Sequence, residues 1–264
     1  MRATGGGRRS GLLADLLRPV TARGWRGLAR KIRELGILGT VRSVWRVIRN
    51  AIGMQLARRY DRRHGVDTGG LVNADAYQQD LDGNHGYLGI PVTSLRTILG
   101  NLGIDHAQYS FVDYGCGKGR AMLVAAERPF ARVVGIEFAD ELVSVARANI
   151  ANYRNGPLRC RDIAVVHADA RTVPPPDGPC VLYFYLPFEP EIFDAVLTTI
   201  EQSHAAAPRP MLLVYCEDRD GDDVIPADRI AASGLWRPQP SPRLPFDWAA
   251  PRQVVCGIWR AAGG

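Results

Sequence analysis

From residue 88 onward the chain alternates two hydrophobic periods. Leu88–Leu102 sets Val92, Leu95, Ile98, Leu99 and Leu102 on one side of a helix. Further helical patterns run over Gly119–Arg128, Ala139–Tyr153 and Pro190–Ala205. Between and after them lie short runs that are apolar almost throughout: Tyr109–Tyr114, Arg132–Phe138, Asp162–Ala168, Cys180–Tyr185, Pro210–Cys216 and Gln253–Arg260. Such runs predict strands buried on both faces, as in a parallel sheet. Strands alternating with helices predict a doubly wound α/β domain over 87–264.

The first third of the chain reads differently. Residues 1–10 are rich in Gly and Arg and predict a disordered basic tail. Residues 11–64 predict a basic, amphipathic helical extension. Within it, over 38–60, Arg42, Arg46 and Arg49 share one stripe and Trp45, Ile48, Ile52 and Leu56 fall on the opposite arc. Three roles stay open for that helix: packing on the main domain, lying on an anionic membrane, or contacting nucleic acid or a partner protein. Residues 65–86 show little periodicity and predict a loop or lid. Asp15 and Arg18 interrupt the apolar stretch behind the twin arginines Arg8 and Arg9, so no secretion signal is expected, while a transit peptide stays open.

Charge follows the same division. Residues 1–64 hold 16 basic and 3 acidic side chains, and the remaining 200 hold 17 basic and 24 acidic. No apolar run reaches the ~18 residues that a membrane-spanning helix needs. The five cysteines include no Cys-x-x-Cys pair, and the five histidines lack metal-ligand spacing. Both point to free thiols in a reducing, cytoplasmic setting, with peripheral membrane association through 38–60 left open, and to no metal site.

The chemistry concentrates where a strand turns into a helix, at Asp113-Tyr-Gly115-Cys116-Gly117-Lys118-Gly119-Arg120. Glycines there let the chain turn tightly and let a ligand approach the backbone, and the helix start offers free N–H groups. A dinucleotide fingerprint would need Gly where Arg120 stands, which disfavours a nicotinamide-dependent oxidoreductase. Glu137, twenty residues after Gly117, ends the second strand, where a carboxylate can accept from ribose hydroxyls. Asp169 follows the third strand and can accept from an adenine amine.

With these residues the sequence resembles the class I S-adenosylmethionine-dependent methyltransferases over roughly residues 87–260. The resemblance implies a Rossmann-like, seven-stranded, mostly parallel sheet with an antiparallel last strand, and S-adenosylmethionine as cofactor. It assigns cofactor contacts to Asp113, Gly115, Cys116, Gly117, Lys118, Gly119, Glu137, Phe138, Asp169, Ala170 and Tyr185. Pro187-Phe188 is similar to the family's fourth motif, but Leu186 stands where amine-methylating members often carry Asn or Asp. The stretch from Tyr87 to Pro91 loosely resembles the cofactor-covering segment of the non-SET protein-lysine methyltransferases. His85, Tyr87, Tyr185 and Glu217 are the candidates for acid–base or acceptor-positioning work, with Asp218 beside Glu217. The expected activity is methyl transfer to a protein side chain or a small molecule. The alternative is a diverged cofactor- or partner-binding module targeted by its basic helix.

Overall fold

The computed structural model describes residues 45, 48, 52–53, 55–72, 87–185, 188–219, 226–244 and 253–263. The chain divides into two compact units, residues 1–49 and 50–264. In the first, Trp45 and Ile48 are helical, and Trp45 is half exposed. Arg42, Arg46 and Arg49, which define the basic stripe, lie outside the described residues, as does His85.

The second unit is built on a seven-stranded sheet. Its strands are β3 (Ser110–Tyr114), β4 (Arg132–Glu137), β5 (Ile163–His167), β6 (Cys180–Tyr185), β7 (Met211–Arg219), β8 (Trp236–Gln239) and β9 (Gln253–Ala261). Their spatial order is β5-β4-β3-β6-β7-β9-β8. All pairs are parallel except β7 with β9 and β8 with β9. The expected sheet, with its antiparallel last strand inserted before the edge, is thus the one observed. The strand order reverses between β3 and β6. In open α/β sheets that reversal opens a crevice at the carboxyl ends of the strands.

Successive residues of each strand feed opposite faces. Phe111, Val133, Val181 and Leu212 pack under helices α2 (Val92–Gly100) and α3 (Arg120–Ala126). Val112, Leu182, Phe184 and Leu213 pack on the other face against Phe193, Val196 and Ile200 of α5 (Pro190–Ala206). Each such side chain contributes roughly 1.5–3 kcal/mol when fully buried. Helix α4 (Asp140–Asn152) joins β4 to β5, and its first turn carries Asp140 and Glu141, which suit the helix dipole. A short α6 (Ala227–Ala232) precedes β8.

Several boundaries differ from the sequence expectation. Helix α2 begins only after Pro91, because Tyr87–Leu88 (β2) pairs antiparallel with Leu71–Val72 (β1). Residues 65–86 are therefore not loop throughout. Gly119 adopts a left-handed conformation and cannot be the first residue of α3, which starts at Arg120. Strand β7 runs on through Glu217 and Asp218, because β9 pairs with it that far. Those two acids lie within the strand, not after it. The basic extension ends in helix α1, described over 55–64.

Candidate functional site

The turn between β3 and α3 puts three glycines in the left-handed region: Gly115 (φ 82°), Gly117 (φ 53°) and Gly119 (φ 82°). A side chain at any of them would be strained, so the turn presents bare backbone. It is pinned from both ends. The Gly115 and Cys116 amides donate to the Ile136 carbonyl at 2.9 and 3.0 Å. Gly117 N–H donates to Glu137 Oε2 at 2.8 Å. The other oxygen of Glu137 accepts from the amides of Phe138 (2.9 Å) and Ala139 (3.0 Å). One carboxylate thus joins the end of β4, the start of α4 and the glycine turn.

Register brings the remaining strand ends alongside. Asp113 faces Gly135 on one side and Tyr183 on the other. Glu137 faces His167, and Ala168 N–H donates to the Glu137 carbonyl at 3.1 Å. Asp169 follows directly. Register thus places the glycine turn, Glu137 and Asp169 at the carboxyl edge of neighbouring strands. Gly135 permits it: a Cβ there would run into the Met122 and Cys116 side chains.

Electrostatics divides these acids. Burial pushes the Asp113 carboxyl well above its usual range, and the neighbouring Glu137 charge pushes it further. Burial also raises Glu137, against the pull of its three amide donors and of His167. Asp169 is lowered, first by its hydrogen bonds to the Arg171 side chain. It receives Arg171 Nε at 2.9 Å and a terminal guanidinium nitrogen at 2.5 Å, and also accepts the Arg171 backbone N–H. Burial raises the Cys116 thiol far above its ordinary value.

Other expected site residues fall as follows. Phe138 is partly exposed beside Glu137, and Ala170 is buried. Tyr185 ends β6, half-buried, opposite Cys216 of β7. Glu217 is buried within β7, across from Val255. Tyr87 pairs through its backbone with Val72. Phe188 packs on the core face that carries α5, while Leu186 and Pro187 lie outside the described residues. Lys118 turns toward the segment before β1: its ammonium donates to Asp67 Oδ2 (3.2 Å) and the Gly69 carbonyl (3.1 Å).

That segment carries polar residues that sequence reasoning missed. Buried Asp61 accepts from the Thr68 and Gly69 amides and from the Thr68 hydroxyl. Buried Asn149 of α4 donates to the carbonyls of both Asp67 and Lys118 and accepts the Asp67 amide. Buried Arg120 donates to Thr68 Oγ1 (2.9 Å) and to the Gly89 carbonyl (3.2 Å). The residue that breaks the dinucleotide fingerprint therefore fastens residues 68 and 89 to the helix behind the glycine turn. The available signal was an arginine inside a helix whose other residues are all apolar.

The strand order, with the glycine turn at the reversal point and the acid closing β4, gives a Rossmann-like doubly wound fold. Residues 111–213 match the family model described as "Methyltransferase domain". A stretch of 69 residues is 41% identical to the release factor glutamine methyltransferase of Caulobacter vibrioides. It covers 26% of this chain and 22% of that protein, so the chain spans about a fifth of the curated relative it matches. Among solved structures, the pyocyanin biosynthetic protein PhzM is similar at 15% identity and TM-score 0.46, over 64% of this chain and 55% of that one. The 23S rRNA methyltransferase ErmE is similar at 15% identity and TM-score 0.44, over 67% and 70%. The residues present fit the cofactor: a turn with three left-handed glycines allows close approach of a ligand beside the Glu137 carboxylate.

Proposed function

We propose that the chain is an active methyltransferase acting on a protein side chain or a small molecule. The Glu137–Gly117 hydrogen bond is the observation that carries this reading, because it fuses the two cofactor-facing elements before any ligand arrives. S-adenosylmethionine supplies an activated methyl group on a sulfonium, with a neutral leaving group. Positioning and exclusion of water are then the protein's main contributions. In this reading the glycine turn and Glu137 border the nucleoside, Asp169 and Ala170 border the base, and Tyr185 stands on the acceptor side at the end of β6. Burial of Glu217 within the strand favours Tyr185 over it as the group that meets the acceptor. The basic segment with half-exposed Trp45 adds contact with an anionic surface.

The test is calorimetry of the full chain with S-adenosylmethionine, followed by radiolabelled methyl transfer into fractionated lysate. Saturable binding is expected, weakened about tenfold or more by Glu137→Ala and lost in Gly117→Val. No binding to the wild type at millimolar cofactor rejects the proposal. Binding without transfer to protein, RNA or small-molecule fractions returns the diverged-module reading.

A further inference from the structure

Away from the glycine turn, the C-terminal part of α1 borders a groove of about 290 Å³. Leu56, Arg59, Tyr60 and Arg63 line it at i, i+3, i+4 and i+7, so one face of the helix forms one wall. His64, Arg96 of α2, Asn155 and Pro157 complete it. Tertiary contacts hold the wall in place. His64 stacks on Tyr153 with centroids 4.9 Å apart, and Asn155 donates to the Arg63 carbonyl.

The groove offers donors and positive charge. Arg59 and Arg63 are exposed and have no carboxylate partner among the described residues. The Tyr60 hydroxyl is buried toward Tyr153 and adds no open donor. Glu127, the acid nearest Arg96, is neutralised by that guanidinium through two 2.7 Å bonds and also receives the Tyr153 hydroxyl. Two free guanidiniums suit an anion with several acceptor oxygens, and arginine matches phosphate geometry in particular.

Two observations choose the source of that phosphate. Nucleic-acid readers stack bases on open aromatic faces, but here Tyr60 already meets His64 at 4.5 Å and His64 is stacked on Tyr153. Leu56, in contrast, is 39% exposed on the same helical face as the arginines. An apolar side chain beside unneutralised cations is what an interfacial helix presents to a bilayer. We propose that this groove binds the phosphate of an anionic phospholipid headgroup and seats α1 on a negatively charged membrane surface. The site is separate from the glycine turn and stands whether or not methyl transfer does.

The full chain is sedimented with phosphatidylcholine vesicles, with and without phosphatidylglycerol. Arg59→Ala/Arg63→Ala is compared with Arg58→Ala/Arg62→Ala, which removes the same charge from exposed positions beside the groove. The groove pair is expected to bind anionic vesicles about tenfold more weakly, and the flanking pair within about threefold of wild type. Circular dichroism and S-adenosylmethionine binding stay unchanged in both. Arg59→Lys/Arg63→Lys keeps charge and solubility but loses the bidentate fork, and falls between the two. Glycerol phosphate or inorganic phosphate should compete with the vesicles, while Leu56→Ser weakens vesicle binding alone, which identifies a lipid as the source. Equal losses in the two double variants overturn the proposal as diffuse electrostatics. So does arginine-dependent binding of a single-stranded RNA oligonucleotide by a chain that ignores the vesicles.

Discussion

The acids that close β4 and β5 sit one strand apart and are held in opposite ways. Glu137 is largely buried, ties three backbone amides together, and is pushed toward its neutral form by desolvation. Asp169 is more open to solvent, caps a single helical turn, and is held charged by its own neighbour Arg171. The first arrangement makes the carboxylate part of the backbone scaffold. The second leaves a carboxylate whose partner a ligand can replace. A carboxylate built into the backbone and one held chiefly by a neighbouring guanidinium thus come from the same residue class at equivalent strand ends.

The rigid side breaks most severely at Gly135. A methyl group there meets Cys116, which lies inside the glycine turn, as well as the more pliable Met122. Gly135→Ala should therefore cost about 1–3 kcal/mol of stability and displace the turn that Glu137 holds. Urea denaturation reads the first effect, and loss of cofactor binding at pH 7 reads the second. Asp169→Ala, on the exchangeable side, should leave the urea midpoint nearly unchanged. A variant Gly135→Ala as stable as wild type would mean that the turn is not locked.

Much of this edge was legible in the chain itself. The glycine spacing demanded left-handed backbone, and strands apolar on both faces demanded a covered parallel sheet. What stayed hidden depends on pairing across distance. Strand β8 is four residues containing Pro238, which reads as a linker until β9 is placed beside it. Glu217 and Asp218 read as a polar exit from β7, yet β9 extends the ladder past both. Arg120 stands out as a charge among apolar helix residues, yet nothing local foretells that Thr68 and Gly89 converge on it. Arg171 sits two residues from Asp169, but only the short helical turn between them brings its guanidinium back onto the carboxylate.

The pH dependence of stability separates the two sides with opposite signs. A buried acid with a raised folded pKa stabilises below its unfolded value and loses that contribution as pH rises through the folded value. Asp113 and Glu137 belong to this class, so on their account the cofactor-free protein weakens as pH climbs above the ordinary carboxylate values of 3.8 and 4.5. Asp169, with a lowered pKa, stabilises above 3.8 and loses that contribution as pH falls. Asp113→Asn removes one buried ionisable group. Its denaturation midpoint relative to wild type should rise with pH from 4 toward 8, whereas that of Asp169→Asn should fall slightly. Parallel profiles for the two variants would erase the distinction.

The smallest expected effect tests the exchangeable side directly. The Asp169–Arg171 pair is partly solvent-exposed, so it is worth no more than about 1 kcal/mol to stability. If Asp169 serves the base of the cofactor, Arg171 competes with the ligand for the same oxygens. Arg171→Ala keeps the backbone amide that also caps Asp169, so the turn survives the change. Cofactor affinity should then rise about two- to threefold at low salt, and less as salt screens the competing charge. Asp169→Ala should weaken binding about tenfold, and should do so more strongly in the Arg171→Ala background, where the carboxylate is free to act. Calorimetry on the four chains closes that cycle. A weaker cofactor complex in Arg171→Ala would show that the guanidinium supports the ligand, and that the open strand end is as fixed a part of the pocket wall as Glu137.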